Sequence, residues 1–191
     1  MSMDKLLNQI MQCQLCQDKL PLPPKPILQI SEHSKILIAG QAPGIATHHK
    51  GIPFDDKSGD RLRHWLGVNK NQFYDKNLFA IVPMGFCYPG KGKSGDLAPL
   101  TQCADTWHRS LLAKLTQVEL TIIIGKYASK FHLQSDDSIT DLTQRWQTLL
   151  TKNMIVLPHP SPRNNIWLKR NPWFENEVIP QLQMRVQGII K

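Results

Sequence analysis

Short runs of β-branched and other apolar residues alternate along the chain with segments whose apolar residues recur at helical spacing. Buried strands are predicted for four such runs: residues 35–39, 78–82, 119–124 and 154–157. Helices are predicted between them: residues 101–115, residues 127–133 and a segment carrying Leu142, Trp146 and Leu149. Strands that alternate with helices usually pair in parallel and are covered on both faces. The pattern therefore predicts a three-layer α/β/α sandwich around a central, mainly parallel four-stranded sheet.

Helical patterns also occur at both ends of the chain and after the first predicted strand. Residues 4–12 are predicted to form the first helix, and the last helix contains Pro180, which is expected to bend it. Ser58 or Asp60 is predicted to cap a short helix, because its side-chain oxygen can accept from a free backbone N–H. Residues 88–99 are rich in glycine and lysine and are predicted to be a mobile insertion.

The length and net charge of the chain indicate how many domains it has and what kind of partner it binds. It has 191 residues, of which 41% are hydrophobic, and this length favours one domain spanning residues 1–191. The net charge of +8 indicates an acidic partner such as nucleic acid, although a generally basic protein without such a partner has the same balance. No run approaches the roughly 20 apolar residues that span a bilayer. Because residues 1–12 are also unlike an export signal, we expect a cytoplasmic monomer without a membrane partner.

Two loops that follow predicted strands carry the candidate chemistry. Residues 40–44 (Gly-Gln-Ala-Pro-Gly) follow the first strand, and residues 159–162 (His-Pro-Ser-Pro) follow the fourth. The carboxyl ends of parallel strands gather at one edge of the sheet, so both loops are expected to line one crevice. The first loop can present backbone N–H groups to an anion, but it lacks the Gly-Lys-Ser/Thr ending of a phosphate loop. A nucleotide-binding enzyme is therefore one alternative.

The same loops resemble a known family. Residues 40–44, 51–54 and 58–59 are similar, in order and spacing, to the first motif of the iron–sulfur uracil-DNA glycosylases. Residues 159–162 resemble the His-Pro-Ser motif of the whole uracil-DNA glycosylase superfamily, and residues 125–128 resemble the turn after its third strand. The resemblance covers nearly the whole chain. It implies an enzyme that hydrolyses the N-glycosidic bond of uracil, or of another deaminated or damaged base, in single- or double-stranded DNA.

The resemblance also implies roles for individual residues. His159 would donate a hydrogen bond to the base, and Phe54 would stack on a base flipped out of the duplex. Other residues would line the base pocket, namely Gly40, Ala42 and Met84. The loop after His159 would contact the DNA backbone through Ser161, Arg163 and Asn164. Without the resemblance, His159 is equally typical of a core histidine at a strand end, and Phe54 can be a buried core phenylalanine.

The chain departs from the family pattern where the family has an acidic residue and an asparagine. Gln41 replaces the acidic residue, and an amide cannot act as a general base. Pro83 replaces the asparagine that reads the uracil edge. Asp55 and Asp56 follow Phe54, and we expect one of them to stabilise the sugar cation or activate water, unless both are only solvated loop charges. A rival interpretation is a module that binds lesions without cleaving them.

Four cysteines form a candidate metal site. Cys13 and Cys16 form a C-x2-C pair, and Cys87 and Cys103 flank the basic loop. In a reducing compartment, four thiolates can hold an iron–sulfur cluster or a tetrahedral zinc ion, and spacing alone does not choose between them. Packing as small apolar side chains is the third interpretation. The family resemblance favours a [4Fe-4S] cluster, which would tie the first helix and the basic loop to the sheet.

Overall fold

A computed structural model describes residues 1–93 and 95–191 of the chain. Its centre is a sheet of four strands in the order β2-β1-β3-β4, and every neighbouring pair is parallel. The strands are β1 (Ile36–Ala39), β2 (Phe79–Ile81), β3 (Leu120–Ile124) and β4 (Met154–Leu157). The predicted α/β class and four-stranded sheet are confirmed, and the sheet is parallel throughout.

Helices connect the strands and cover the sheet. They are α1 (Met3–Met11), α2 (Ile45–Lys50), α3 (Lys57–Leu66), α4 (Lys70–Tyr74), α5 (Thr101–Leu112), α6 (Lys126–Leu133), α7 (Ile139–Gln144), α8 (Trp146–Leu150), α9 (Asn165–Arg170) and α10 (Ile179–Ile190). Short 3-10 turns lie at Gln17–Lys19 and Pro162–Asn164. In the described part of the chain, no helix is long and apolar enough to cross a bilayer.

The alternation of side chains along each strand builds two apolar layers. In β1, Ile36 and Ile38 face the layer formed with α3, α4, α9 and α10, whereas Leu37 faces the layer formed with α1 and α5. Ala39 also points to the second face, where α6 and α7 pack. Burial on both faces explains why the strands are continuous apolar runs. The sandwich arrangement therefore follows directly from the sequence pattern.

Some local predictions need correction. The cap of α3 is Asp56, whose carboxylate accepts from the backbone N–H of Gly59, and not Ser58 or Asp60. The pattern also missed α2 and α4, which are short and lack a long apolar stripe. A π-helical turn at Phe174–Val178 directly precedes α10. Pro180, which was expected to bend the last helix, lies in the first turn of α10, where its missing N–H costs little.

The basic loop folds back on itself as a hairpin with arms at residues 90–92 and 95–97; we call it the basic hairpin. Lys91 and Asp96 form an antiparallel bridge. The backbone N–H of Leu97 donates to the carbonyl of Gly90 at 2.8 Å, and that of Gly92 donates to the carbonyl of Gly95 at 2.6 Å. In residues 90–92 and 95–97, the predicted insertion therefore forms a hairpin whose arms are joined by backbone hydrogen bonds.

Candidate active site at the carboxyl edge of the sheet

A cleft of about 450 Å³ opens at the carboxyl ends of the strands. The chain runs from β1 to β2 on one side and then to β3 and β4 on the other, so the cleft lies where ligands bind in open parallel sheets. It brings together most of the residues selected from the sequence, which are Gly40, Gln41, Ala42, Phe54, Asp56, His159, Ser161, Arg163 and Asn164. The predicted meeting of the two loops is therefore present.

Two of the selected residues do not line the cleft. The carboxylate of Asp55 pairs with the ammonium groups of Lys70 at 2.8 Å and Lys50 at 3.1 Å. The hydrogen bond from Lys70 is the largest cause that lowers the pKa of Asp55 below its usual value. Met84 is 5% exposed and packs in the apolar layer on α6 and α7. Asp55 is thus held in surface ion pairs, and the Met84 side chain belongs to the core.

The backbone around Met84 is also engaged within the protein. The N–H of Met84 donates to the carbonyl of Gly40 at 2.9 Å, and the N–H of Gly85 donates to the carbonyl of Gln41 at 3.0 Å. Both hydrogen bonds join the loop after β2 to the loop after β1. The two N–H groups are therefore not available to read the edge of a base in the pocket that Met84 was expected to line.

His159 is placed as a neutral hydrogen-bond donor. Its Nδ1 accepts from the backbone N–H of Ser161 at 3.2 Å, and its carbonyl accepts from the side-chain amide of Asn164 at 2.7 Å. His159 is exposed in the cleft, and desolvation by the protein around its ring lowers its pKa, against smaller opposing effects of Asp56 and Asp96. A neutral ring whose Nδ1 accepts carries its proton on Nε2. His159 can therefore donate through Nε2.

Phe54 is held rigidly on the opposite loop. Its φ of +54° lies in the left-handed region, which is strained for a residue with a side chain. The carbonyl of Phe54 accepts from the buried guanidinium of Arg63 at 3.1 Å, and the neighbouring carbonyl of Pro53 accepts from the hydroxyl of Tyr74 at 2.9 Å. These bonds maintain the strained backbone, and the ring edge faces Gly40, where an added Cβ would lie 3.9 Å from the ring Cζ.

Gly59 makes the close approach of α3 to Phe54 possible. A Cβ at position 59 would lie 1.7 Å from the carbonyl oxygen of Phe54, so Gly59→Ala forces the two backbones apart. We expect this variant to lose about 3 kcal/mol of stability and to unfold roughly 6–12 °C below the wild type. Gly188→Ala on α10 is the matched control, because its Cβ would meet no atom within 4 Å. Thermal unfolding of both proteins measures the difference; equal midpoints would contradict the geometry.

Gln41 and Pro83 are the two departures from the family pattern, and both line the cleft. The side-chain amide of Gln41 donates to the carbonyl of Leu97 at 2.8 Å and so holds the basic hairpin. The carbonyl of Pro83 accepts from Nε2 of the buried His108 at 3.1 Å. Burial lowers the pKa of His108 to about 4, so the ring is neutral at pH 7 and positions Pro83 through this bond.

The loop after His159 is anchored by Arg61 of α3. The guanidinium donates to the carbonyl of Ser161 at 3.2 Å and to the side-chain carbonyl of Asn165 at 2.8 Å. The hydroxyl of Ser161 accepts from the backbone N–H of Arg163 at 3.3 Å and caps the following 3-10 turn. Ile166 stands just beyond this turn with 66% of its surface exposed. The loop thus presents a large apolar side chain from a fixed base.

Sequence reasoning missed the acidic residue Asp96 of the cleft. Asp96 of the basic hairpin lines the same cavity as His159. Its carboxylate lies against the backbone of the loop after β1, where a Cβ on Gly44 would be 3.2 Å from Oδ2. The only sequence signal is an acid inside a lysine- and glycine-rich loop, and nothing in that pattern indicates that the loop folds back onto the cleft.

A sequence model of the Uracil DNA glycosylase superfamily matches residues 28–183, which include both cleft loops and the whole sheet. The chain belongs to this superfamily. Membership identifies it in general terms as a DNA glycosylase, a hydrolase of base-excision repair that acts on DNA. The superfamily match begins after Cys13 and Cys16, so it includes two of the four cysteines.

All four cysteines of this superfamily member line one apolar cavity away from the cleft: Cys13, Cys16, Cys87 and Cys103. They are free of disulfides. The sulfur of Cys103 accepts from the backbone N–H of Phe86 at 3.4 Å. Burial raises the pKa of Cys87 to about 11 and that of Cys103 to about 12, which excludes them as thiolate nucleophiles in the metal-free protein. Across residues 1–93 and 95–191, no group of three or more His, Cys, Asp or Glu side chains is arranged around a single metal ion.

Proposed function

We propose that this protein is a DNA glycosylase that hydrolyses the N-glycosidic bond of uracil or of another deaminated or damaged base. The observation that supports this most strongly is that the ring of Phe54 and the imidazole of His159 line one cleft. An aromatic face can stack on a base that has left the duplex, and a donor beside it can hold the edge of that base. A cleft of about 450 Å³ is of the size that small-molecule sites have.

The chemistry needs a stabilised leaving group more than a strong nucleophile. When the C1′–N bond breaks, its electron pair leaves with the base, and negative charge develops on the base oxygen. A fixed donor that points at this oxygen stabilises the transition state more than the ground state. In this proposal the Nε2–H of His159 is that donor. The ring need not be charged, which agrees with its lowered pKa.

The DNA backbone would be bound by the loop after His159. Arg163 lies at the mouth of the cleft, and the net charge of +8 favours a polyanion. The exposed Ile166 is of the kind that wedges between base steps when a nucleotide is extruded. Because Ser161 caps the turn that carries Arg163, its contribution to DNA binding is to shape this loop.

The cofactor of the proposal is a [4Fe-4S] cluster held by the four cysteines, which would place the protein in the iron–sulfur group of the superfamily. The sulfurs of Cys87 and Cys103 accept backbone N–H bonds from Lys25 and Phe86, as cluster thiolates commonly do. Four thiolates can hold a cubane cluster or a tetrahedral zinc ion, and the resemblance of the sequence motifs to the iron–sulfur group is what supports the cluster. The bound cluster would cross-link the end of α1, the loop after β2 and the start of α5.

A second function is a lesion-binding module without cleavage activity. It is favoured by Gln41, because the side-chain amide donates a hydrogen bond to the carbonyl of Leu97 in the basic hairpin and cannot accept a proton from water. Such a module would hold an extruded base in the same cleft and release no product.

One assay separates these functions. The purified protein is incubated with single- and double-stranded oligonucleotides that each carry one altered base, and alkali-labile abasic sites are quantified. The proposal predicts abasic sites with at least one altered base and none with normal DNA. Tight binding of lesion-containing DNA without any abasic product would support the binding module instead.

A further inference from the structure

Within the described residues, one carboxylate of the cleft has no hydrogen-bond or ion-pair partner. Among the residues that the structure describes, Asp56 and Asp96 are the carboxylates that line it. Asp56 caps α3, with its Oδ1 accepting from the N–H of Gly59 at 2.9 Å. No hydrogen-bond or ion-pair partner of the Asp96 carboxylate occurs within residues 1–93 and 95–191, and this side chain is exposed. Asp96 is therefore available to a ligand in the cleft.

The backbone of Asp96 is nevertheless fixed. The antiparallel bridge to Lys91 and the bond from Leu97 N–H to the carbonyl of Gly90 close the hairpin around it. Gln41 attaches the next residue, Leu97, to the loop after β1. On the other side, a Cβ at position 95 would lie 2.8 Å from a guanidinium nitrogen of Arg163, so the hairpin also contacts the loop after His159. The hairpin thus joins both walls of the cleft.

The amide at position 41 explains why the carboxylate comes from the hairpin. A carbonyl oxygen such as that of Leu97 needs a donor, and the Nε2 of Gln41 supplies one at 2.8 Å. A carboxylate at position 41 would place its oxygens against the carbonyl oxygen of Leu97, and two hydrogen-bond acceptors repel each other. Gln41 is therefore suited to anchor the hairpin that carries Asp96, whereas an acidic residue at position 41 is not.

We propose that Asp96 is the catalytic carboxylate of this glycosylase and that Gln41 is its positioning residue; the inference rests on the proposed base-release activity. As the C1′–N bond breaks, the base leaves with the electron pair, and the Asp96 carboxylate stabilises the sugar cation. A water molecule then forms a bond to C1′ and gives its proton to Asp96, from which it passes to solvent. The free base takes a proton from solvent, and the products are the base and an abasic site.

The electrostatics of the cleft agree with this placement. The charges of Asp56 and Asp96 both act on the imidazole of His159, in the direction that raises its pKa against the larger effect of burial. Asp96 and His159 line the same cleft, so both groups can act on one nucleotide. A base anion next to the imidazole and a sugar cation next to the carboxylate would each face the complementary group.

Single-turnover base release from the preferred oligonucleotide tests the role of Asp96. Asp96→Asn is expected to slow release by about 100-fold or more, which is the usual contribution of a general base. Glu175→Gln removes the same charge from an exposed turn and is the control for net charge.

The outcomes separate this inference from the proposed function. Binding of a duplex with an abasic-site analogue is measured in parallel, and Asp96→Asn should bind it at least as tightly as the wild type. A rate for Asp96→Asn within about threefold of an active wild type would overturn the role of Asp96 and leave the glycosylase intact. A wild type that releases no base from any oligonucleotide would overturn both.

Gln41→Glu tests the positioning role through the hydrogen bond to Leu97. In the wild-type background it is expected to slow release by about tenfold, and in the Asp96→Asn background it should cause no further loss, because residues that act as a unit are not additive. Equal losses in the two backgrounds would show that Gln41 acts independently of Asp96 and would overturn its role as an anchor.

Discussion

Replacing His159 with alanine is expected to slow base release by about 100- to 1,000-fold, as removal of one fixed donor to a developing anion does. The expected cause is the loss of the Nε2–H, since Nδ1 is already occupied by the N–H of Ser161. DNA binding should change little, because the loop is held independently by Arg61. The measurement is single-turnover release together with affinity for an abasic-site duplex.

His64→Ala is the matched control for this variant, since His64 is exposed at the end of α3 and does not line the cleft. His159→Gln, which retains a donor, should recover part of the rate. Desolvation and the charge of Arg163 lower the pKa of His159, and the charges of Asp56 and Asp96 raise it by less. The pKa therefore stays below its usual value, and the ring is neutral at pH 7. Release should therefore not fall from pH 7 to pH 8.5 through loss of an imidazolium. A His159→Ala rate within tenfold of the wild type would contradict this account.

Replacing Cys103 with serine removes a ligand of the proposed cluster and should unfold the part of the chain that the cluster joins. We expect the visible absorption to disappear and the unfolding midpoint to fall by roughly 10 °C or more, because the free energy of binding a structural metal group is folding free energy. Cys13→Ser should have the same effect, although Cys13 belongs to the C-x2-C pair after α1 and Cys103 to α5.

Packing alone predicts a different result for these variants. Serine is close in size to cysteine, so the loss would be small at both positions and would scale with the burial of each sulfur. Elemental analysis separates the metals: the cluster predicts iron and acid-labile sulfide in equal amounts, and zinc predicts neither. Wild-type protein without iron, and Cys103→Ser protein as stable as the wild type, would contradict the cofactor proposal.

The sheet was predictable because each strand is buried on both faces. Runs such as the one ending at Ile124 leave few alternatives to a central parallel strand, and the helices between them follow from spacing. The short helices α2 and α4 were not predictable in the same way. The helix α4, for example, is held by the capping box of Asn69 and Gln72 rather than by an apolar stripe.

The site was predictable where its residues follow strands. Gly40 and His159 come directly after β1 and β4, and topology alone brings their loops together. Asp55 was selected only because it adjoins Phe54, and nothing in sequence showed that lysines from α2 and α4 would neutralise it. Asp96 was missed because its place depends on how a glycine-rich hairpin folds back, which is a tertiary property.

The most direct test of the central claim is a crystal structure of the protein with duplex DNA that carries the preferred base on a 2′-fluorinated, non-hydrolysable sugar. The account predicts that this base has left the helix and lies in the cleft, with its face on the ring of Phe54 and its edge within hydrogen-bond distance of His159 Nε2. A base that stays stacked in the duplex, or that is bound elsewhere while the cleft holds no nucleotide, would contradict it.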